Sequence, residues 1–145
     1  MGYRTDLLTG IASLIDSGGL ATWRSAGVYA AGETGIVLGT VPSSPDRIVT
    51  LTSYGVDDDP TLSDSTTGVQ VRTRWGGQDP RPVDDLADAI FALLHNRGPL
   101  TLSTGVRVVQ IHRQSSTPLG QDTNARWSRS DNYYVAAHYP TPNRL

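Results

Sequence analysis

A chain of 145 residues has room for one domain, and at that size about two-thirds of the unfolded surface can be buried, enough for an ordinary hydrophobic core. The absence of cysteine excludes disulfide staples, zinc–thiolate centres and cysteine nucleophiles. A formal net charge of −2 lacks the basic footprint of tight, sequence-independent nucleic-acid binding, and no stretch approaches the roughly 20 apolar residues of a membrane helix, so a water-soluble chain is predicted.

Leu7, Leu8, Ile11, Leu14 and Ile15 recur at three- and four-residue spacing and end at Gly18-Gly19, which predicts an amphipathic helix over about residues 4–17. Asp6, Thr9, Gly10, Ser13 and Asp16 break up its apolar residues, so it does not read as a signal peptide. Trp23 and Tyr29 suggest a short extended piece between Leu20 and Ala31. Ile36-Val37-Leu38 and Ile48 to Thr52 read as consecutive strands joined by the turn residues Pro42 to Asp46. The polar, acidic stretch from Gly55 to Thr67 reads as an exposed loop, and Val69 to Trp75 as a strand with one wet or interface-facing side.

A second helix is predicted over about 82–97. Pro82 stands in its first turn, Asp84, Asp85 and Asp88 lie toward its positive end, and Leu86, Ile90, Leu93 and Leu94 form the apolar stripe. Gly98 is the expected left-handed residue after it, followed by Pro99 as a stop. Val106 to His112 then reads as a strand that completes a right-handed crossover unit. A long polar loop from Gln114 to Asp131, a final strand from Asn132 to Tyr139 pairing antiparallel with its predecessor, and a tail at about 140–145 close the chain. The fold class is α/β in the α+β sense: one domain over 1–145, with a mixed sheet of about five strands, two main helices on one face, and long loops.

Signatures of the common enzymes are missing: there is no G-x-S-x-G elbow, no phosphate-binding G-x-x-x-x-G-K-[ST], no G-x-G-x-x-G and no H-E-x-x-H. No catalytic, cofactor-binding or metal-binding residue is assigned. His95, His112 and His138 have no carboxylate at ligand spacing, and even if His112 and His138 met on neighbouring strands, two histidines make a poor metal site. Asp57-Asp58-Asp59 with Asp64 has the flavour of a calcium loop, but Leu62 and Gly68 occupy the positions where an EF-hand needs glycine and glutamate. A solvated acidic loop is expected there. Asp84, Asp85 and Asp88 are explained by the helix dipole. All twelve basic residues are arginine and Glu33 is the only glutamate among fourteen acids, a usage typical of GC-rich coding sequence. Physically, it makes every cation a planar fork suited to bidentate contacts. Two polar loops of such length in so small a domain point to function, and Pro118, Leu119, Arg126, Trp127 and Arg129 in the second are residue types common at protein interfaces.

The run Val69-Gln70-Val71-Arg72-Thr73-Arg74, a Gly/Asp/Pro turn, Pro82 to Ile90 and Leu93-Leu94-His95 resembles the middle of the tail terminator proteins of long-tailed bacteriophages, often labelled minor capsid proteins in phages of actinobacteria. Pro118 to Asp122, Asn124 to Arg126 and Ser130 to Tyr134 resemble the same family's final loop and strand, and the resemblance spans roughly residues 5 to 139. Trp75 and Gln121 depart from the family pattern.

The resemblance implies a structural virion protein and no enzyme. It implies a homo-hexameric ring at the head-proximal end of the tail tube, which ends tube polymerisation and joins the tail to the neck. The implied partners are further copies of the chain, the tail tube protein, and a neck or head-completion protein. Genomic DNA would pass through an acidic or neutral lumen without specific binding, and no membrane is involved. Arg72, Arg74, Arg126, Trp127 and Arg129 are the expected interface residues, since guanidinium and indole groups supply most interface hot spots. Another head–tail connector is the nearest alternative, and a small α/β enzyme or ligand-binding domain a more distant one.

Overall fold

The computed structural model describes residues 2–144; Met1 and Leu145, the outermost residues of the expected domain and tail, lie outside the described residues. Its elements run α1 (Tyr3–Ser17), β1 (Thr22–Trp23), β2 (Gly35–Leu38), β3 (Ile48–Asp58), β4 (Asp64–Gly76), α2 (Arg81–Leu94), β5 (Leu100–Thr101), β6 (Arg107–Gln121) and β7 (Arg126–His138). The strands form one mixed sheet in the order β1-β2-β3-β4-β7-β6-β5, parallel across β1-β2-β3 and antiparallel elsewhere.

Alternation decides which residues meet the helices. Val49, Leu51, Val69, Val71, Tyr133, Val135 and Ala137 face one way and are buried, together with Val108 and Ile111 of β6. Against them pack Leu7, Leu8, Ile11 and Ile15 of α1 and Leu86, Ile90 and Leu94 of α2, so both helices share one core and one face of the sheet. Gly10 sits inside α1 because Leu102 lies directly against it: a Cβ there would stand 2.7 Å from the Leu102 Cβ. The Thr104 hydroxyl donates to the Asp6 carbonyl at 2.6 Å and fixes the same contact. At the far end of the chain, Arg144 donates to the carbonyls of Asp59, Leu62, Asp64 and Tyr139 and to Ser65 Oγ, which ties the tail to the β3–β4 connection.

The two main helices and the five longer strands match the sequence expectation; seven strands form rather than about five, because β1 and β5 add two residues each. The larger correction concerns the polar stretches. Gly55 to Thr67 and Gln114 to Asp131 are mostly strand: β3 runs to Asp58, β4 starts at Asp64, and β6 and β7 leave only Asp122 to Ala125 as a turn. That turn is closed by Asp122, whose Oδ1 accepts from the N–H groups of Asn124 and Arg126 at 2.8 and 3.0 Å, while Ala125 takes φ 58°. Serines, threonines and arginines hide the alternation there, since Ser128, Ser130 and Asp131 are buried in place of apolar residues.

Two further points differ from expectation. The second helix ends at Leu94 rather than near residue 97. The left-handed residue after it is Asn96 at φ 61°, while Gly98 at φ 142° lies so close to the Val109 backbone of β6 that no Cβ would fit. β2 and β3 also run in the same direction, so residues 39–47 form a return across the sheet rather than a hairpin turn. β6 lies near the sheet edge, covered by β5 only at Arg107 and Val108, and its pairing with β7 shifts register three times, the last between Pro118 and Gly120.

The Gly10 contact gives a test with an unusual sign. In a free helix Gly→Ala stabilises by up to about 1 kcal/mol, but here the added methyl overpacks against Leu102, and overpacking costs about 1–3 kcal/mol. Gly10→Ala is therefore expected to lower the thermal midpoint by several degrees in a calorimetric melt; an unchanged or higher midpoint would contradict the close packing of α1.

Candidate assembly interface

The sheet's other face is free of helices. Directly opposed residues form its rows: Ile48, Arg74 and Ser128, then Thr50, Arg72 and Ser130, then Thr52, Gln70 and Asn132, then Tyr54, Gly68 and Tyr134. Tyr54 lies over Gly68 and its hydroxyl contacts Asn132 Oδ1 at 3.3 Å, while Tyr134 meets His112 edge-on. The return segment 39–47 crosses this face and is pinned by two of the expected interface arginines. Arg74, only 3% exposed, donates to the carbonyls of Pro45 at 2.7 Å and Asp46 at 3.0 Å. Burial, with the neighbouring Arg126 charge, pushes its pKa below the ordinary arginine value. Arg126 donates to the Ser43 carbonyl at 2.6 Å and to Asp122 Oδ2 at 2.9 Å. Arg72, between them and the uncharged end of the face, makes no hydrogen bond or ion pair among the described residues, and its Nε is shielded from solvent.

Trp127 and Arg129 face the helices. Trp127 stands opposite Trp75, with its indole N–H shielded and without an acceptor. Arg129 is the centre of a charge cluster that joins α2 to the β6–β7 hairpin. Its Nη1 lies 3.0 Å from Asp84 and 3.7 Å from Asp88, its Nε lies 3.2 Å from Asp131 Oδ1, and it donates to Ser116 Oγ through Nε and Nη2. Burial opposes the charge on Arg129, but Asp84 and Asp131 outweigh it and hold its pKa above the ordinary value. Asp131 is 2% exposed and accepts from Ser116 Oγ at 2.5 Å; Arg113, whose guanidinium covers the Phe91 ring, stands 3.6 Å from it without a hydrogen bond. Burial, helped by the Asp131 charge, raises the pKa of the neighbouring Tyr133.

The structure thus divides the five expected residues between the two faces. Arg72, Arg74 and Arg126 share the outer face, while Trp127 and Arg129 lie on the helix side. The roles of Ser116 and Asp131 are not readable in the sequence, since both fall in a polar stretch without apolar alternation; the local signal is the Arg129-Ser130-Asp131 spacing, which puts two opposite charges on one face of a strand.

The histidines do not converge. His112 pairs with Tyr134, His95 accepts from the Arg113 N–H, and His138 lies by Ser63 and Asp64. Asp64 and His138 border an open hollow of about 470 Å³ lined in part by Leu100, Arg107 and Val109. Ser63 and Asp64 both approach the same ring atom, Nδ1, at 2.9 and 3.4 Å, so the histidine cannot pass a proton from one to the other as a hydrolytic triad requires. Among the described residues no group of three His, Cys, Asp or Glu side chains could hold a metal ion, and no helix is long and apolar enough to cross a membrane.

A family model for bacteriophage tail terminator proteins matches residues 14–139. The chain belongs to that family. It is a structural phage tail protein of the virion. Among solved structures, a chain of the virion of a native gene transfer agent particle is similar, with 14% identity, a TM-score of 0.58, and alignment over 88% of this chain and 84% of that one. This likeness reports a shared fold. No curated protein sequence matches.

The charge cluster of this terminator subunit can be tested through Asp131. Removing one partner of a buried ion pair leaves the other charge uncompensated, at a cost of about 3–5 kcal/mol. Asp131→Ala is expected to lose most of that amount in urea unfolding, and Asp131→Asn, which keeps the acceptor oxygen for Ser116, to lose less. Equal stability of Asp131→Ala and the natural chain would show that the cluster contributes nothing to folding.

Proposed function

We propose that this tail terminator closes into a homo-hexameric ring at the head-proximal end of the tail tube, ends tube polymerisation, and presents its far surface to a neck or head-completion protein. The observation that carries the reading is the family match over residues 14–139. The mechanism is geometric. A heterologous interface that closes after six copies stops growth, because the exposed side of the last ring no longer matches a further tube ring.

In this reading the five arginine and tryptophan residues serve the interface in different ways. Arg72 contacts the next subunit directly. Arg74 and Arg126 act by presenting segment 39–47, which supports its exposed Val41 at the subunit surface. Arg129 holds the hairpin against α2 and keeps Asp84 and Asp88 in place, with Trp127 beside it on the helix side of the sheet. DNA passes the lumen without being gripped, in keeping with a net charge of −2 and the absence of lysine.

Native mass spectrometry over a concentration series, with negative-stain images of the same samples, tests the ring. Closed six-copy rings are expected, in the free protein or on added tail tubes. A monomer under every condition, tubes included, would remove the ring mechanism.

A further inference from the structure

The row Thr50, Arg72 and Ser130 contains two unsatisfied polar groups side by side. The Thr50 hydroxyl, on a residue 2% exposed, and the Arg72 Nε directly across the strand pair are both shielded from solvent without hydrogen-bond partners. Shielded donors without acceptors are destabilising, and a guanidinium more so than a neutral group. Arg74 and Arg126 on the same face have acceptors within the chain; Arg72 does not. Its planar donors lie at the border between the pinned segment 39–47 and the uncharged row of Thr52, Gln70 and Asn132. With Nε shielded, the terminal nitrogens of Arg72 are left as a positive group open to an anion from outside the chain.

The complementary group lies on the same chain. α2 packs on the opposite face of the sheet and turns Asp84, Asp85 and Asp88 outward. Arg129 engages Asp84 and Asp88, whereas Asp85 is exposed and makes no hydrogen bond or ion pair among the described residues. An unpaired cation and an unpaired carboxylate on opposite sides of one rigid subunit are what a head-to-tail contact needs, since such contacts join two different surfaces of identical copies.

We propose that Arg72 receives the Asp85 carboxylate of a second copy of this chain, so that the helix-free sheet face of one subunit meets the α2 side of the next. The inference rests on the ring reading and gives its interface a polarity and a named ion pair. A carboxylate accepts two parallel N–H groups from guanidinium, and the two terminal nitrogens of Arg72, which unlike Nε are not shielded from solvent, are the donors it meets.

A charge swap tests the pairing. Rings of the natural chain, Arg72→Glu, Arg72→Met, Asp85→Arg and the Arg72→Glu/Asp85→Arg double variant are counted by native mass spectrometry and negative stain, with and without tail tubes, and each chain's fold is checked by circular dichroism. Each single variant is expected to raise the concentration needed for half assembly by roughly tenfold or more, with the folded spectrum kept, and the double variant to recover most of the loss. Arg72→Met keeps the aliphatic stem and covers the case in which Arg72→Glu does not fold. If Arg72→Met assembles as the natural chain does, or if the double variant stays as impaired as the singles, the pairing is wrong while the ring stands. If the natural chain forms no ring even on tubes, the ring reading falls and the pairing with it.

Discussion

The ladder between β4 and β7 sets the placement of every other group. All 13 residues of β4 pair with β7, from Asp64 opposite His138 to Gly76 opposite Arg126, without a register shift. Side chains in a strand alternate between faces, so a slip of one residue would either turn Tyr133, Val135 and Ala137 of β7 away from the helices or bring Arg72 and Arg74 of β4 into the core. The apolar set makes such a slip costly. The polar set adds to the cost, because Arg74 on β4 and Arg126 on β7 reach carbonyls of the same return segment only when both strands turn them to the outer face.

The same ladder separates two kinds of arginine. Those on the helix side are held between carboxylates and join a helix to a hairpin, as Arg129 does with Asp84 and Asp131. Two on the outer side, Arg74 and Arg126, bind backbone carbonyls and hold down the return segment between two parallel strands. Parallel neighbours usually need a crossover of a dozen or more residues, most often a helix; here residues 39–47 suffice because guanidinium groups secure them to the sheet. Without a crossover helix the outer face stays open.

Much of this fold was legible in the sequence wherever burial is apolar. The spacing of Leu7 to Ile15 gave α1 within a residue or two, the stripe of Leu86, Ile90 and Leu94 gave α2, and the β-branched runs gave the centres of the five longer strands. The polar halves of the two hairpins were not legible, because a strand that buries Asp131 on its helix side and Ser128 and Ser130 on the other has no hydrophobic alternation to read. The work of Arg74 and Arg126 was hidden for a different reason. Their acceptors are main-chain carbonyls, which carry no residue identity, and one lies 83 positions away. The tail terminator resemblance, in contrast, rested on turns and packing patterns spread along most of the chain, and those patterns survive where individual contacts do not.

The edge formed by β6 bears on how the protein behaves before it assembles. A long strand with an open flank is a template on which other chains can add strands and grow fibres. β6 carries Pro118, which lacks an N–H, and changes register with β7 three times, so its outer flank is kinked and missing a donor where the strand is most exposed. An unassembled copy therefore offers no continuous row of donors and acceptors along that flank for another chain to extend.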